Sequence, residues 1–114
     1  MNWSVAGAIL MALAVAFGAF GAHGLRARLD EYSMGVYEKA VFYHFIHALG
    51  ILIAAKTPLV CWLLLAGIAL FSGSLYLLAV TGNRSLGAIT PIGGLCFIAG
   101  WVVLAWVRAS GPPS

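Results

Sequence analysis

Val5-Ala-Gly-Ala-Ile-Leu-Met-Ala-Leu-Ala-Val-Ala-Phe-Gly-Ala-Phe-Gly-Ala22 is a run of eighteen residues without a charge, ten of them Ala or Gly. A helix needs about 20 mainly apolar residues, within about 17 to 25, to cross the hydrocarbon core of a bilayer. Three more charge-free stretches follow, at residues 40–55, 57–83 and 85–107. The second reaches spanning length once it is extended back to Val36 through Glu38 and Lys39. Four spans are therefore expected, at 4–23, 36–55, 58–81 and 86–107. Met1-Asn2-Trp3-Ser4 holds no Lys or Arg, so the first span reads as a retained helix and not as a secretory signal.

The composition of the chain agrees. Its 114 residues carry six Lys and Arg against three Asp and Glu, a net charge of +3, and are 63% hydrophobic and 8% charged. Mean hydropathy is +1.04. Soluble domains are about a quarter charged, and disorder needs low hydrophobicity with high charge, so both classes are excluded. The pI of about 9.2 rests on scattered cations. Phosphate backbones need clustered ones, which removes nucleic acid as a partner. What remains is an all-α integral membrane protein, one four-helix antiparallel bundle over residues 1–114, with the lipid bilayer as its partner.

The connections support that topology. Thr57 is a suitable N-cap before Pro58 at N1, and Gly82 supplies the left-handed residue that ends a helix. Links this short make antiparallel neighbours. Residues 24–35 are longer and read either as an interfacial loop or as a short amphipathic helix. Thr90-Pro91 also admits two readings. Either the fourth helix starts near Ser85 and kinks at Pro91, or it starts at Pro91 and offers the N–H groups of Ile92, Gly93 and Gly94 to an anion.

The N-terminus, the 56–58 link and the C-terminus share one side, named A; the other two connections lie on side B. Trp3, Trp62, Trp101 and Trp106 fall toward A, and Tyr32, Tyr37, Tyr43 and Tyr76 toward B, as interfacial anchors do. Side B carries Arg26, Arg28, Lys39 and Arg84 against Lys56 and Arg108 on side A. That bias favours a cytoplasmic side B, although a margin of two leaves the orientation open. Ala8, Ala12 and Ala16 form one small-residue stripe on span one, and Ala14, Gly18 and Ala22 a second. Small residues let membrane helices approach closely, which places span one centrally in the bundle or at a homodimer seam.

Polar residues inside a span are costly and are functional candidates by default. His44 and His47 lie near the middle of span two, about 60° apart on one face. Ser72 and Ser74 reach similar depth on span three and are expected to hydrogen-bond across to span two. Counting about 1.5 Å per residue, Ser74, Thr90, Tyr76, Glu38 and His23 form a polar layer near side B. Together with Tyr43, these residues admit two roles. They line a cavity open to side B that takes a small polar ligand or passes protons, with His44 and His47 at its floor. Alternatively they only join helices to one another.

Other chemistries have less support. Zinc takes three or four ligands, and His44-x-x-His47 supplies two with no carboxylate at that depth. Haem needs a His on a facing helix, and His23 is about 10 Å shallower. Cys61 and Cys96 differ in depth and read as small apolar residues. No nucleophile–base–orienter set occurs. No metal and no cofactor are expected.

Four strings complete the pattern: Gly18-Ala-Phe-Gly-Ala-His-Gly-Leu25, Tyr37-Glu-x-Ala-x-x-Tyr-His-x-x-His-Ala-Leu49, Phe71-Ser-Gly-Ser-Leu-Tyr76 and Thr90-Pro-x-Gly-Gly-x-x-Phe-x-x-Gly-Trp101. In this order they resemble the small bacterial membrane family called domain of unknown function 423, related to eukaryotic transmembrane protein 256. The resemblance implies four helices in the cytoplasmic membrane and no established reaction. The expected function is a non-enzymatic structural or envelope-supporting membrane component, alone, as a homo-oligomer or with other membrane proteins. The alternative is the ligand-binding or proton-conducting cavity.

Overall fold

The computed structural model describes residues 1–111, so residues 112–114 of the expected 1–114 unit lie outside the described residues. Helix α1 runs Trp3–Phe20, opened by the Asn2 side chain, which accepts from the Val5 N–H at 3.2 Å. It continues into a π turn, Gly21–Leu25. Asp30 caps α2, Glu31–Ile53, accepting from the Ser33 N–H at 2.7 Å. The third span consists of α3 (Pro58–Gly67), a π turn (Ile68–Ser72) and α4 (Gly73–Thr81). A 3-10 turn, Arg84–Ala88, leads into α5, Thr90–Ser110. Grouped into continuous helical stretches, these elements give four of 23, 23, 24 and 27 residues, each long and apolar enough to cross a membrane. At 1.5 Å per residue, each spans about 30 Å or more of hydrocarbon.

The first connection is shorter than 24–35. Gly24 and Leu25 still belong to span one, and Glu31 already belongs to α2, because the Asp30 carboxylate supplies a cap six residues before Val36. At the next turn Thr57 holds the cap position before Pro58, but its hydroxyl makes no capping bond. Gly82 ends α4 at φ 72°, a conformation that costs most residues a steric clash. The fourth span combines parts of both expectations: a 3-10 turn begins near Ser85, and the α-helix proper begins beside Pro91 without leaving the Ile92 and Gly93 N–H groups to an anion. That helix starts at Thr90 with Pro91 in its first turn, and the Ile92 and Gly93 N–H groups donate to the Ile89 carbonyl.

Span one is peripheral, which overturns its expected central place. Only Trp3, Gly7 and Ala14 of α1 are buried. Its packing partner is α2, with contact to span three through Trp3 on Trp62 at one end and Phe17 on Tyr76 at the other. The seam uses Gly7, Ala14 and Gly21, a seven-residue repeat that keeps one face on a neighbouring helix. A Cβ at Gly7 would meet Leu52 at 2.8 Å, one at Gly18 Val41 at 3.4 Å, and one at Gly21 the Tyr37 ring, which fixes the antiparallel register. The Ala8-Ala12-Ala16 stripe is exposed. The central elements are α2 and the third span, and α5 packs on α3 and the Ile68–Ser72 turn. There Gly93 brings two backbones together. A Cβ on it would sit 2.8 Å from both the Leu70 carbonyl carbon and the Phe71 Cα.

Candidate functional site

Two apolar clusters fill the bundle. One holds Ala48, Ile51, Val60, Leu64, Phe97 and Leu104 toward side A; the other holds Leu25, Met34, Tyr37 and Ala79 toward side B. The polar side chains lie between them. His44 is 3% exposed and His47 5%, Ser72 is fully buried, and Ser74 is 4% exposed.

His44 Nδ1 lies 2.8 Å from the Tyr76 hydroxyl of α4. Its Nε2 is buried without a hydrogen-bond partner. The Leu10 carbonyl of α1 stands beside the ring, outside hydrogen-bond geometry. Both facts fit the tautomer in which Tyr76 donates to Nδ1 and Nε2–H faces that carbonyl. Phe17 packs edge-on against both His44 and Tyr76, with centroids 6.1 and 5.0 Å away. The Tyr37 hydroxyl donates to the Phe17 carbonyl, closing a node between α1, α2 and α4. Sequence reading placed Tyr37 only as an interfacial anchor. Its signal was its position seven residues before His44, within about 20° of the same helical face.

His47 turns the other way. Its Nδ1–H donates to the Tyr43 carbonyl one turn earlier, at 2.7 Å, and its ring stacks on Phe97 of α5 at 3.5 Å. Trp101 lies 5.7 Å away. Tyr43 is half-buried, with its ring 4.5 Å from Phe71. The two histidines therefore share a helix and face different neighbours.

The serines divide in the same manner. Ser72 donates to the Ala40 carbonyl of α2 at 2.8 Å, as expected. Ser74 does not reach span two. Two residues further on is about 200° around a helix, so it points at α5 instead. Its hydroxyl donates to the Phe71 carbonyl at 3.0 Å, so the 2.6 Å contact with Thr90 must use the Thr90 proton. Thr90 thereby ties α5 to α4 rather than capping its own helix.

His23 and Glu38 stand apart. His23 is exposed. Glu38 lies 3.9 Å from Arg26, with both side chains about 60% exposed, a pairing worth little in water. Also at side B, Arg84 lies over the Tyr32 ring at 4.2 Å, holding the third connection to the start of α2. The Ser33 N–H holds the Asp30 carboxyl below the usual carboxylate range.

Among the cavities that the described residues form, three are open to the surface. One of about 640 Å³ lies at side A between Trp3, Lys56 and Arg108. One of about 300 Å³ lies between α1 and α2 at Gly18, Tyr37 and Phe45. One of about 510 Å³ lies at side B at Arg26, Asp30 and Glu38. None of the three reaches His44, His47, Ser72, Ser74, Tyr76 or Thr90. Glu38 lines the second and third of these cavities without any of the six, and the buried Tyr37 ring, 5.4 Å from that of Tyr76, stands beside it in the second.

Comparison with known proteins agrees with the fold. A UPF0382 membrane protein of Staphylococcus haemolyticus is 49% identical over 108 residues, covering 88% of each chain. One of Staphylococcus epidermidis is 50% identical over 108 residues, again 88% of each. One of Bacillus subtilis is 44% identical over 110 residues, 88% of this chain and 89% of its own. No solved structure matches the chain. The family model described as "Protein of unknown function (DUF423)" matches residues 17–94, the stretch that holds both buried histidines and both buried serines, and the chain belongs to that family of membrane proteins.

Proposed function

We propose that this protein is a non-enzymatic structural component of the cytoplasmic membrane, whose polar residues serve to fix four helices in one arrangement. The observation that carries this reading is where the polar groups go. Ser72, Ser74, Thr90, Tyr76 and both His Nδ1 atoms each join one helix to another or to its own backbone. Such bonds hold membrane helices together where no hydrophobic drive does. The small-residue seam of α1 and the close contact at Gly93 support the same reading. The exposed Ala8-Ala12-Ala16 face leaves room for a second copy or another membrane protein beside α1.

One observation favours a second reading, a ligand-binding or proton-conducting protein: the unpartnered Nε2 of His44. A buried titratable group with a free nitrogen is what a proton relay uses. Liposome measurements separate the two. With an imposed pH gradient, vesicles carrying the wild-type protein are expected to leak protons no faster than empty ones. Conduction by the wild type that is lost in His44→Gln and His47→Gln would establish the relay and displace the structural role.

A further inference from the structure

We propose that the side-A cavity binds the phosphate of an anionic phospholipid. The cavity is about 640 Å³ and includes Asn2, Trp3, Ser4, Lys56 and Arg108 in its lining, with no Asp or Glu among them. All three acids of the chain, Asp30, Glu31 and Glu38, are at the other end of the bundle. Two of the carbonyls at its wall are already taken. The Ile53 carbonyl takes a hydrogen bond from Arg108 Nη2 at 3.3 Å. The Ala54 carbonyl takes one from Cys61 Sγ at 3.1 Å and one from the Thr57 N–H at 2.8 Å. Donors remain: the rest of the Arg108 guanidinium, the exposed Lys56 ammonium, and the Trp3 and Ser4 N–H groups at the start of α1, which have no partner within the helix.

The depth is that of lipid headgroups. Trp62 and Trp106 point outward at this end, 52% and 71% exposed, as interfacial anchors do. Arg108 is held over the cavity by its bond to Ile53, so its guanidinium is positioned before any ligand arrives. A basic pocket between spans at this level suits an anionic headgroup. A zwitterionic one fits less well, because its ammonium finds no Asp or Glu in that lining.

Native mass spectrometry of the full chain released from vesicles of equal phosphatidylglycerol and phosphatidylethanolamine tests this. Bound phosphatidylglycerol should exceed phosphatidylethanolamine in the wild type. Each of Lys56→Gln and Arg108→Gln should lower its retention about five-fold, the equivalent of about 1 kcal/mol per cation. Lys56→Gln breaks no recorded packing or hydrogen bond, so its result does not depend on a folding defect. Arg28→Gln, at side B, should leave retention unchanged. Equal retention of the two lipids, or an equal loss with Arg28→Gln, would overturn the site. So would equal protection of the micellar protein against heat by millimolar inorganic phosphate, which would make the ligand a soluble anion.

Discussion

Tyr76 and Ser72 show how one hydroxyl can matter more than another. Removing Ser72 Oγ leaves an Ala40 carbonyl that still belongs to α2's own helix ladder, so Ser72→Ala should cost about 0.6 kcal/mol, the average for such bonds in membranes. Tyr76→Phe keeps the ring against Phe17 but leaves both nitrogens of a 3% exposed imidazole unpaired. It should cost more, about 1–3 kcal/mol, in reversible unfolding from mixed micelles. A cost for Tyr76→Phe no larger than that for Ser72→Ala would refute the hydrogen-bonded assignment. Asp30 offers a pH test. Its carboxyl is held below the ordinary range by the Ser33 N–H, so its ionised form is favoured in the folded chain. That stabilisation is complete above the ordinary carboxylate value of about 4 and is lost as pH falls through the folded value. Hydrogen-exchange protection of the first turn of α2 should therefore fall on acidification, and Asp30→Ala should remove the pH dependence.

At the scale of elements, the π turn at Ile68–Ser72 and the glycine facing it set how closely α5 approaches the third span. Gly93 and Gly94 are neighbours with opposite expectations. A methyl group on Gly93 would fall on the Phe71 backbone, which cannot rotate away, and Gly93→Ala should destabilise by about 1–3 kcal/mol or more. At Gly94 the nearest atom is 3.8 Å away on the Phe71 ring, an ordinary contact. Gly94→Ala should be neutral or stabilising by up to about 1 kcal/mol, since Ala is the better helix former. Unfolding both variants in one detergent decides the matter, and similar losses for the two would refute the close contact at Gly93. The same geometry explains why Ser74 missed its expected partner. Residues two apart cannot both face α2, and the turn that aims Ser72 at Ala40 aims Ser74 at Thr90.

For the whole molecule, the testable feature is which ends lie together. Trp3 packs edge-on against Trp62, and Arg108 reaches Ile53, so the N-terminus, the α2–α3 turn and the end of α5 share side A. In a background with Cys61 and Cys96 replaced by Ala, Ser4→Cys and Ser110→Cys should react with an impermeant maleimide from one side and Ser85→Cys from the other. Ser4 and Ser110 labelling from opposite faces would remove the four-helix topology.

Local composition alone determined the number of spans and their order, because transfer into lipid adds up residue by residue along a helix and needs no knowledge of neighbours. It also marked Gly82 as a helix end and His44, His47 and Ser72 as buried polar groups. Tertiary structure decided which helix is central. Span one carries small residues on more than one face, and nothing in its sequence says that Gly7, Ala14 and Gly21 meet α2 while Ala8, Ala12 and Ala16 stay uncovered. It decided the polar partners too, since depth along the membrane normal says how far in a residue lies and not which way it faces. Glu38 and His23 match Tyr76 and Thr90 in depth, yet Glu38 pairs with Arg26 on the surface and His23 is exposed. A one-dimensional pattern carries depth; only the packed rotation of each helix carries azimuth.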